Sequence, residues 1–197
     1  MSGRFIVIEG IDGSGKGTQL KRLAEFLRQH DKDVITTFEP TDEGFGAEIN
    51  MILREHTEID PTEFQMLYVK DREAHLKNVI KPALEEGKIV LCDRYALSTL
   101  AFGSIGGADL GKLKEAGVGF LVPEMTIFID VTPEECMNRI EKRGEEQELF
   151  EKLEKLKIAR ETYLKEGENY SGFKIVDGNR SREEIFEDIK RLVLGLF

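Results

Sequence analysis

Apolar and polar positions alternate along the chain in blocks that read as strand, turn and helix from one end to the other. Arg4 to Glu9 is a buried strand, and Gly10 to Thr18 is a glycine-rich turn. Leu20, Leu23, Ala24 and Leu27 then recur at helical spacing. Asp33 to Phe38 is a second strand. Asp60-Pro61-Thr62-Glu63 opens a long helix, with Asp60 as N-cap, Pro61 in the first turn and Glu63 completing a capping box; it runs to about Gly87. Ile89 to Cys92 and Met125 to Asp130 are strands, and Thr132-Pro133-Glu134-Glu135 repeats the helix-start signal. Leu149, Leu153 and Leu156 form the inner stripe of a charged helix. Phe173 to Val176 is the last strand, followed by a helix capped by Ser181 with Glu184, whose buried face is Ile185, Ile189, Leu192 and Val193.

Strands alternating with helices specify an α/β sandwich around a largely parallel sheet, which binds ligands at the carboxyl ends of its strands. The 197 residues suffice for a single domain, without linker, repeat or low-complexity segment. The charged run Glu141 to Lys157 reads as a solvated helix face with Glu148–Lys152 and Glu151–Lys155 pairs.

Composition narrows the functional classes. With 40% hydrophobic and 34% charged residues the chain is an ordinary water-soluble globule. No stretch approaches the roughly 18 apolar residues of a membrane span, and Glu9 interrupts the N-terminal apolar run before it reaches signal-peptide length. A cytoplasmic location follows as an expectation. Cys92 and Cys136 read as reduced core thiols rather than a disulfide or zinc pair. A net charge of −10 argues against a nucleic-acid partner. His30, His56 and His75 are scattered and read as surface or helix-packing residues.

The strongest chemical signal is Gly10-Ile11-Asp12-Gly13-Ser14-Gly15-Lys16-Gly17-Thr18, between a strand and a helix. Its glycines let backbone N–H groups wrap a phosphate, the helix adds the positive end of its dipole, and Lys16 supplies a mobile charge. Gly17 stands where a hydroxyl residue commonly follows the lysine, and Thr18 comes one later. The strand ending in Asp93, followed by Arg94, reads either as a metal carboxylate beside a phosphate-binding guanidinium or as a surface salt bridge. Beside the phosphate loop the first reading prevails. Tyr68 and Arg72 share a helix face, but periodicity alone makes them a core tyrosine and a solvated arginine.

Taken together, these blocks resemble the thymidylate kinase family over nearly the whole chain. The resemblance is carried by the loop from Ile8 to Lys16, by Glu39-Pro40, by Asp71-Arg72 with Ile80-Lys81-Pro82-Ala83-Leu84, and by Asp93-Arg94-Tyr95 with Ser98 and Ala101-Phe102. Asp130 to Glu134, then Arg139 and Lys142-Arg143-Gly144, and Val176-Asp177-Gly178 with Ser181, complete it.

The resemblance implies a three-layer P-loop NTPase fold with a five-stranded parallel sheet flanked by helices, and a small lid at about 142–151. It implies transfer of a phosphoryl group from ATP to dTMP with Mg2+, by a homodimer. Gly10 to Thr18, Arg139, Arg143 and Gly178 are then the ATP side, with Arg143 stacking on adenine. Asp12, Glu39, Pro40, Tyr68, Arg72, Arg94, Ser98 and Phe102 are the acceptor side. There Asp12 meets the sugar 3′-hydroxyl, Tyr68 stacks on the base, Arg72 bonds its edge and Arg94 holds the phosphate. Lys16, Arg94 and Arg143 are the expected catalytic cations. Asp93, through water, and Thr18 are the expected metal ligands.

Three positions depart from the pattern. Phe38 stands where many bacterial members carry an arginine, and Gly103 where many carry a glutamine. Neither the phosphate loop nor segment 144–150 contains an arginine, which leaves Arg139, Lys142 or Arg143 for that part. The alternatives are a kinase for other monophosphates (dUMP, UMP or CMP) and a nucleotide-binding switch without an acceptor.

Overall fold

The computed structural model describes residues 3–142 and 149–197. Their elements, in chain order, are β1 (Arg4–Glu9), α1 (Lys16–Gln29), β2 (Val34–Phe38), α2 (Gly44–Glu55) and α3 (Pro61–His75). A π-helical turn (Leu76–Ile80), α4 (Lys81–Glu85), β3 (Ile89–Asp93), α5 (Ala96–Gly106) and α6 (Leu110–Ala116) follow. The chain continues through β4 (Met125–Asp130), α7 (Pro133–Glu141), α8 (Leu149–Gly167), β5 (Phe173–Asp177) and α9 (Arg182–Leu194).

The sheet has five strands in the order β2-β3-β1-β4-β5, every neighbouring pair parallel. This is the expected α/β sandwich. Its inner strands read as unbroken apolar runs because helices cover both faces. In β1, Ile6 and Ile8 enter the core shared with α1 and α9, while Phe5 and Val7 enter the core shared with the π-helical turn and α4. β1 is central, and its register with β3 sets Ile8 beside Asp93. The chain end of each strand therefore delivers its loop to one edge of the sheet, the edge at which such sheets bind ligands.

Local signals explain most boundaries. Asp60 caps α3, its Oδ1 accepting from the Thr62 and Glu63 N–H groups at 2.9 and 3.0 Å. The long helix passes Pro82, which has no N–H to give to the preceding turn, and the helix widens into its π turn just before that proline. Thr132 differs from expectation. Its hydroxyl does not cap α7; its N–H and Oγ1 both donate to Asn179 Oδ1 at 3.0 and 3.1 Å, tying the β4 exit to the loop after β5.

The expected stripe of α8 is present at Leu156, which is buried, and Leu153, packed against the core; Leu149's side chain and the Glu148–Lys152 and Glu151–Lys155 pairs lie outside the described residues. Helices α2, α5 and α6 were not anticipated from the pattern. α5 is apolar almost all round and buries Leu97 through Ala101 and Gly103, so it shows no polar face to reveal its period.

At α9 the full capping box forms. Ser181 Oγ accepts from Glu184 N–H, and Glu184 Oε2 accepts from Ser181 N–H at 3.0 Å. Ser181→Ala is expected to lower the unfolding free energy by about 1 kcal/mol, read from the urea midpoint. An unchanged midpoint would mean that the box carries no stability.

Candidate functional site

The phosphate loop leaves β1 after Glu9 and enters α1 at Lys16. Gly13 and Gly15 have φ of 86° and 90°, the left-handed region that favours glycine. A Cβ on Gly13 would sit 2.7 Å from the Cys136 carbonyl oxygen, so the loop packs against α7. Gly15 has open space around it, and no side chain caps α1. The first N–H groups of that helix are left for a ligand. They border a cavity of about 650 Å³ lined by Asp12, Gly13, Gly15, Lys16, Gly17 and Thr18 together with Lys21, Lys152 and Arg182. Of the last three basic residues, the sequence marks Lys152 only as a partner of Glu148, and nothing there distinguishes Lys21 and Arg182 from other surface cations.

Lys16 is 7% exposed, and its Nζ donates to the Ile11 carbonyl at 3.3 Å. Burial pushes its amine down to about 8, with the Arg94 charge acting in the same direction against Asp93, Asp12 and Glu9. A negative charge placed beside such a group raises it again.

Arg94 follows β3 with φ of 70°, unusual for a non-glycine residue. Its Nη2 donates to Asp12 Oδ1 at 2.5 Å, and its Nη1 to the Gly10 carbonyl, Ser98 Oγ and Tyr163 Oη at 3.3, 3.3 and 3.2 Å. The guanidinium carbon lies 4.6 Å from the Phe102 ring centre. Burial works against its charge, but Tyr163, Asp12, Glu9 and Asp93 outweigh it and hold the guanidinium above its ordinary value.

Behind it Glu9 is fully buried and accepts from Tyr95 N–H, Ser98 N–H, Ser98 Oγ and Tyr163 Oη at 2.8, 3.2, 2.7 and 3.0 Å. Burial raises its carboxyl group, and the bond from Ser98 and the Arg94 charge pull the other way. Glu9 and Tyr163 thus hold Arg94 and Ser98 in place, although neither was picked from the sequence. The one signal for Glu9 was an acidic residue closing an apolar strand. Tyr163 sits far down the chain in α8, where its register with Leu156 and Ala159 marks it as core.

All eight expected acceptor residues, Asp12, Glu39, Pro40, Tyr68, Arg72, Arg94, Ser98 and Phe102, line one cavity of about 340 Å³. Leu53, Gln65 and Tyr95 complete it. Tyr68 is half-buried, edge-on to Phe64, and burial pushes its phenol up to about 12.

Arg72 is not the solvated arginine that periodicity favours. It is 2% exposed, its Nε donates to Glu39 Oε2 at 2.8 Å and its Nη2 to Thr99 Oγ1 at 3.0 Å, and its guanidinium faces the Tyr95 ring. A cation at that depth needs a partner, which Glu39 provides. Of the two readings for the histidines, His75 takes the helix-packing one, buried on α3. One ring nitrogen bonds Glu39 Oε1 at 3.0 Å and the other Thr37 Oγ1 at 2.6 Å. Cys92 lies close to Glu39 and His75. Its thiol donates to the Arg94 carbonyl, and burial raises it well above its ordinary value, while Glu39 is committed to Arg72; this is an ion network and not a metal centre.

On the donor side Arg139 bridges two loops, donating to the Ser14 carbonyl at 3.4 Å and the Gly178 carbonyl at 2.9 Å while paired with Glu135. It sets the phosphate loop against the Gly178 turn. Arg143, with most of the expected lid 142–151, lies outside the described residues.

Asp93 Oδ1 is buried without a hydrogen-bond partner. A Cβ on Gly17 would lie 3.6 Å from Asp93 Oδ2, so the carboxylate faces the first turn of α1, where Thr18 is exposed to the phosphate cavity. An unpartnered carboxylate oxygen beside a phosphate loop fits a hydrated divalent cation.

A parallel sheet in this order, with a phosphate loop after its central strand and a second nucleotide-sized cavity at the same edge, is the architecture of the P-loop nucleoside monophosphate kinases. The family model for thymidylate kinase matches residues 8–189. Similar proteins include a "Probable thymidylate kinase" of Pyrococcus abyssi, 40% identical over 98% of this chain and 97% of its own length. A "Thymidylate kinase" of Carboxydothermus hydrogenoformans is 38% identical over 100% of this chain and 99% of its own. The chain belongs to the thymidylate kinase family.

Because the free Lys16 amine titrates near 8, ATP binding at about pH 8.5 is expected to take up a proton as the phosphates restore the ammonium. Calorimetry in buffers of different ionisation enthalpy measures that uptake, which should be absent in Lys16→Met. Equal proton uptake in both proteins would assign it elsewhere.

Proposed function

We propose that the protein transfers the terminal phosphoryl group of ATP to dTMP, giving ADP and dTDP. The observation that carries this reading is the junction of the two cavities. Asp12 lines both, and Lys16 and Arg94 stand on either side of it. Two nucleotides seated there meet phosphate to phosphate.

The acceptor needs no general base. The second pKa of a phosphate monoester is ~6, so at neutral pH the group is mostly a dianion. One of its oxygens forms the new bond to the γ-phosphorus as the bond to the β–γ bridging oxygen breaks, and ADP departs with that electron pair. Catalysis of so loose a transition state is positioning and charge stabilisation. Lys16 and the α1 N–H groups hold the donor phosphates. Arg94, fixed by Asp12, Ser98 and Tyr163, reaches from the acceptor side. Asp93, through water, with Thr18 near, would hold a magnesium ion, which would supply further positive charge to the phosphates.

The base lies in the cavity between Tyr68 and Phe102, with Arg72 anchored by Glu39 at its far wall. Arg139 and Gly178 form the adenine side, with Arg143 as a lid cation; the lid role of 142–151 rests on sequence alone. Cytoplasmic location agrees with two free, buried cysteines. Among the described residues no helix is long and apolar enough to cross a membrane. A homodimer is implied by the family and is consistent with the exposed apolar Phe45 and Met51 on α2.

A coupled ADP-release assay across dTMP, dUMP, UMP, CMP and AMP is expected to show the highest kcat/KM for dTMP. A faster ribonucleotide would reassign the acceptor, and nucleotide binding without acceptor-dependent turnover would make the protein a switch. Lys16→Ala and Arg94→Ala should each reduce kcat at least about 10²-fold, the effect of losing one transition-state contact. Near-normal kcat in either variant would remove that residue from the chemistry.

A further inference from the structure

The side-chain atoms that are buried without a hydrogen-bond partner include two at the phosphate loop, Ser14 Oγ and Asp93 Oδ1. Gln65 Oε1 is a third, and it belongs to the acceptor cavity. Gln65 is 5% exposed and lies on α3 just under one turn before Tyr68. A carboxamide oxygen buried without a donor is a destabilising choice unless something bound there satisfies it.

The neighbourhood shows why Gln65 reaches this position. A Cβ on Gly103 would lie 2.9 Å from Leu113 Cδ1 and 3.3 Å from Gln65 Cγ. A side chain at Gly103 of α5 would press on Leu113 and Gln65, and Gln65 packs against this glycine from the opposite helix. Gln65 lines the cavity with Tyr68, Arg72, Ser98 and Phe102. The cationic donors there are Arg72 and Arg94, already engaged with Glu39 and Asp12.

We propose that Gln65 is a specificity-determining residue that reads the base edge of the acceptor, its Oε1 accepting the N3–H of a pyrimidine-2,4-dione. That base offers one ring donor, flanked by two carbonyls, and the Gln65 amide nitrogen donates to one of them. A cytosine ring has no N3–H and presents an acceptor there, so it pairs only with the carboxamide turned over, Nε2 toward N3 and Oε1 toward the exocyclic amine. The ring donor at N3 is thus the feature that Gln65 reads, by hydrogen bonding rather than by size. The proposal rests on the acceptor assignment made above.

The test is steady-state kinetics on the full-length protein, comparing wild type with Gln65→Leu and Gln65→Ala on dTMP, dCMP and N3-methyl-dTMP. Both variants are expected to raise KM for dTMP by about tenfold, the effect of losing one hydrogen bond from a buried group, and to leave KM for ATP within about twofold. The unmoved ATP value certifies folding of the donor site. Wild type should discriminate strongly between dTMP and N3-methyl-dTMP, and Gln65→Ala should lose most of that discrimination.

A wild-type KM for dTMP in Gln65→Leu would show that Gln65 merely fills space, and the proposal would fall. Undiminished rejection of N3-methyl-dTMP by Gln65→Ala would also overturn it. Wild type that fails to phosphorylate dTMP at all would instead sink the acceptor assignment, and this proposal with it.

Discussion

Two buried cations, Lys16 and Arg94, are held at the carboxyl edge of the sheet close enough for one to depress the pKa of the other. Everything else at this edge either tolerates that repulsion or makes use of it. Asp12 and the Glu9–Ser98–Tyr163 group hold Arg94. The positive ends of α1 and Lys16 then face an open cavity. A site that aims helix N–H groups and Lys16 at an open cavity suits an anionic ligand, and phosphates are the ligand that the loop geometry accommodates.

That constraint orders the fold around it. β1 is central because both its ends are needed: its run of apolar residues forms core on two faces, and its last residue, Glu9, anchors α5 and α8 beneath Arg94. The parallel register brings Asp93 level with Ile8, so its carboxylate and the phosphate loop emerge side by side. The acceptor cavity follows from the same frame. Its walls come from α3 and α5, and its back is the Arg72–Glu39–His75–Thr37 network, which buries an arginine by giving it a carboxylate and that carboxylate a histidine.

The strands and the first and last helices were legible because each is local: an apolar run closed by an acidic residue or glycine, or a capped stripe at helical spacing. The phosphate loop was legible for the same reason. α5 was not, since a helix buried on every side has no polar face. Arg72 was misread by periodicity because its partner, Glu39, lies just beyond the end of a distant strand. The acceptor set was reached through family resemblance rather than through spacing, and its eight residues line one cavity. Tyr163 and Gln65 matter only through contacts made across the fold, with Arg94 in one case and Gly103 in the other, and a sequence pattern does not register such contacts.

The central claim is that two nucleotides lie end to end across Asp12 with their phosphates between Lys16 and Arg94. Calorimetric titration with adenosine and thymidine joined by five phosphates tests it directly. The account predicts one molecule bound per chain, competitive with both ATP and dTMP and tighter than either. A compound that displaces one nucleotide and leaves the other bound would contradict it.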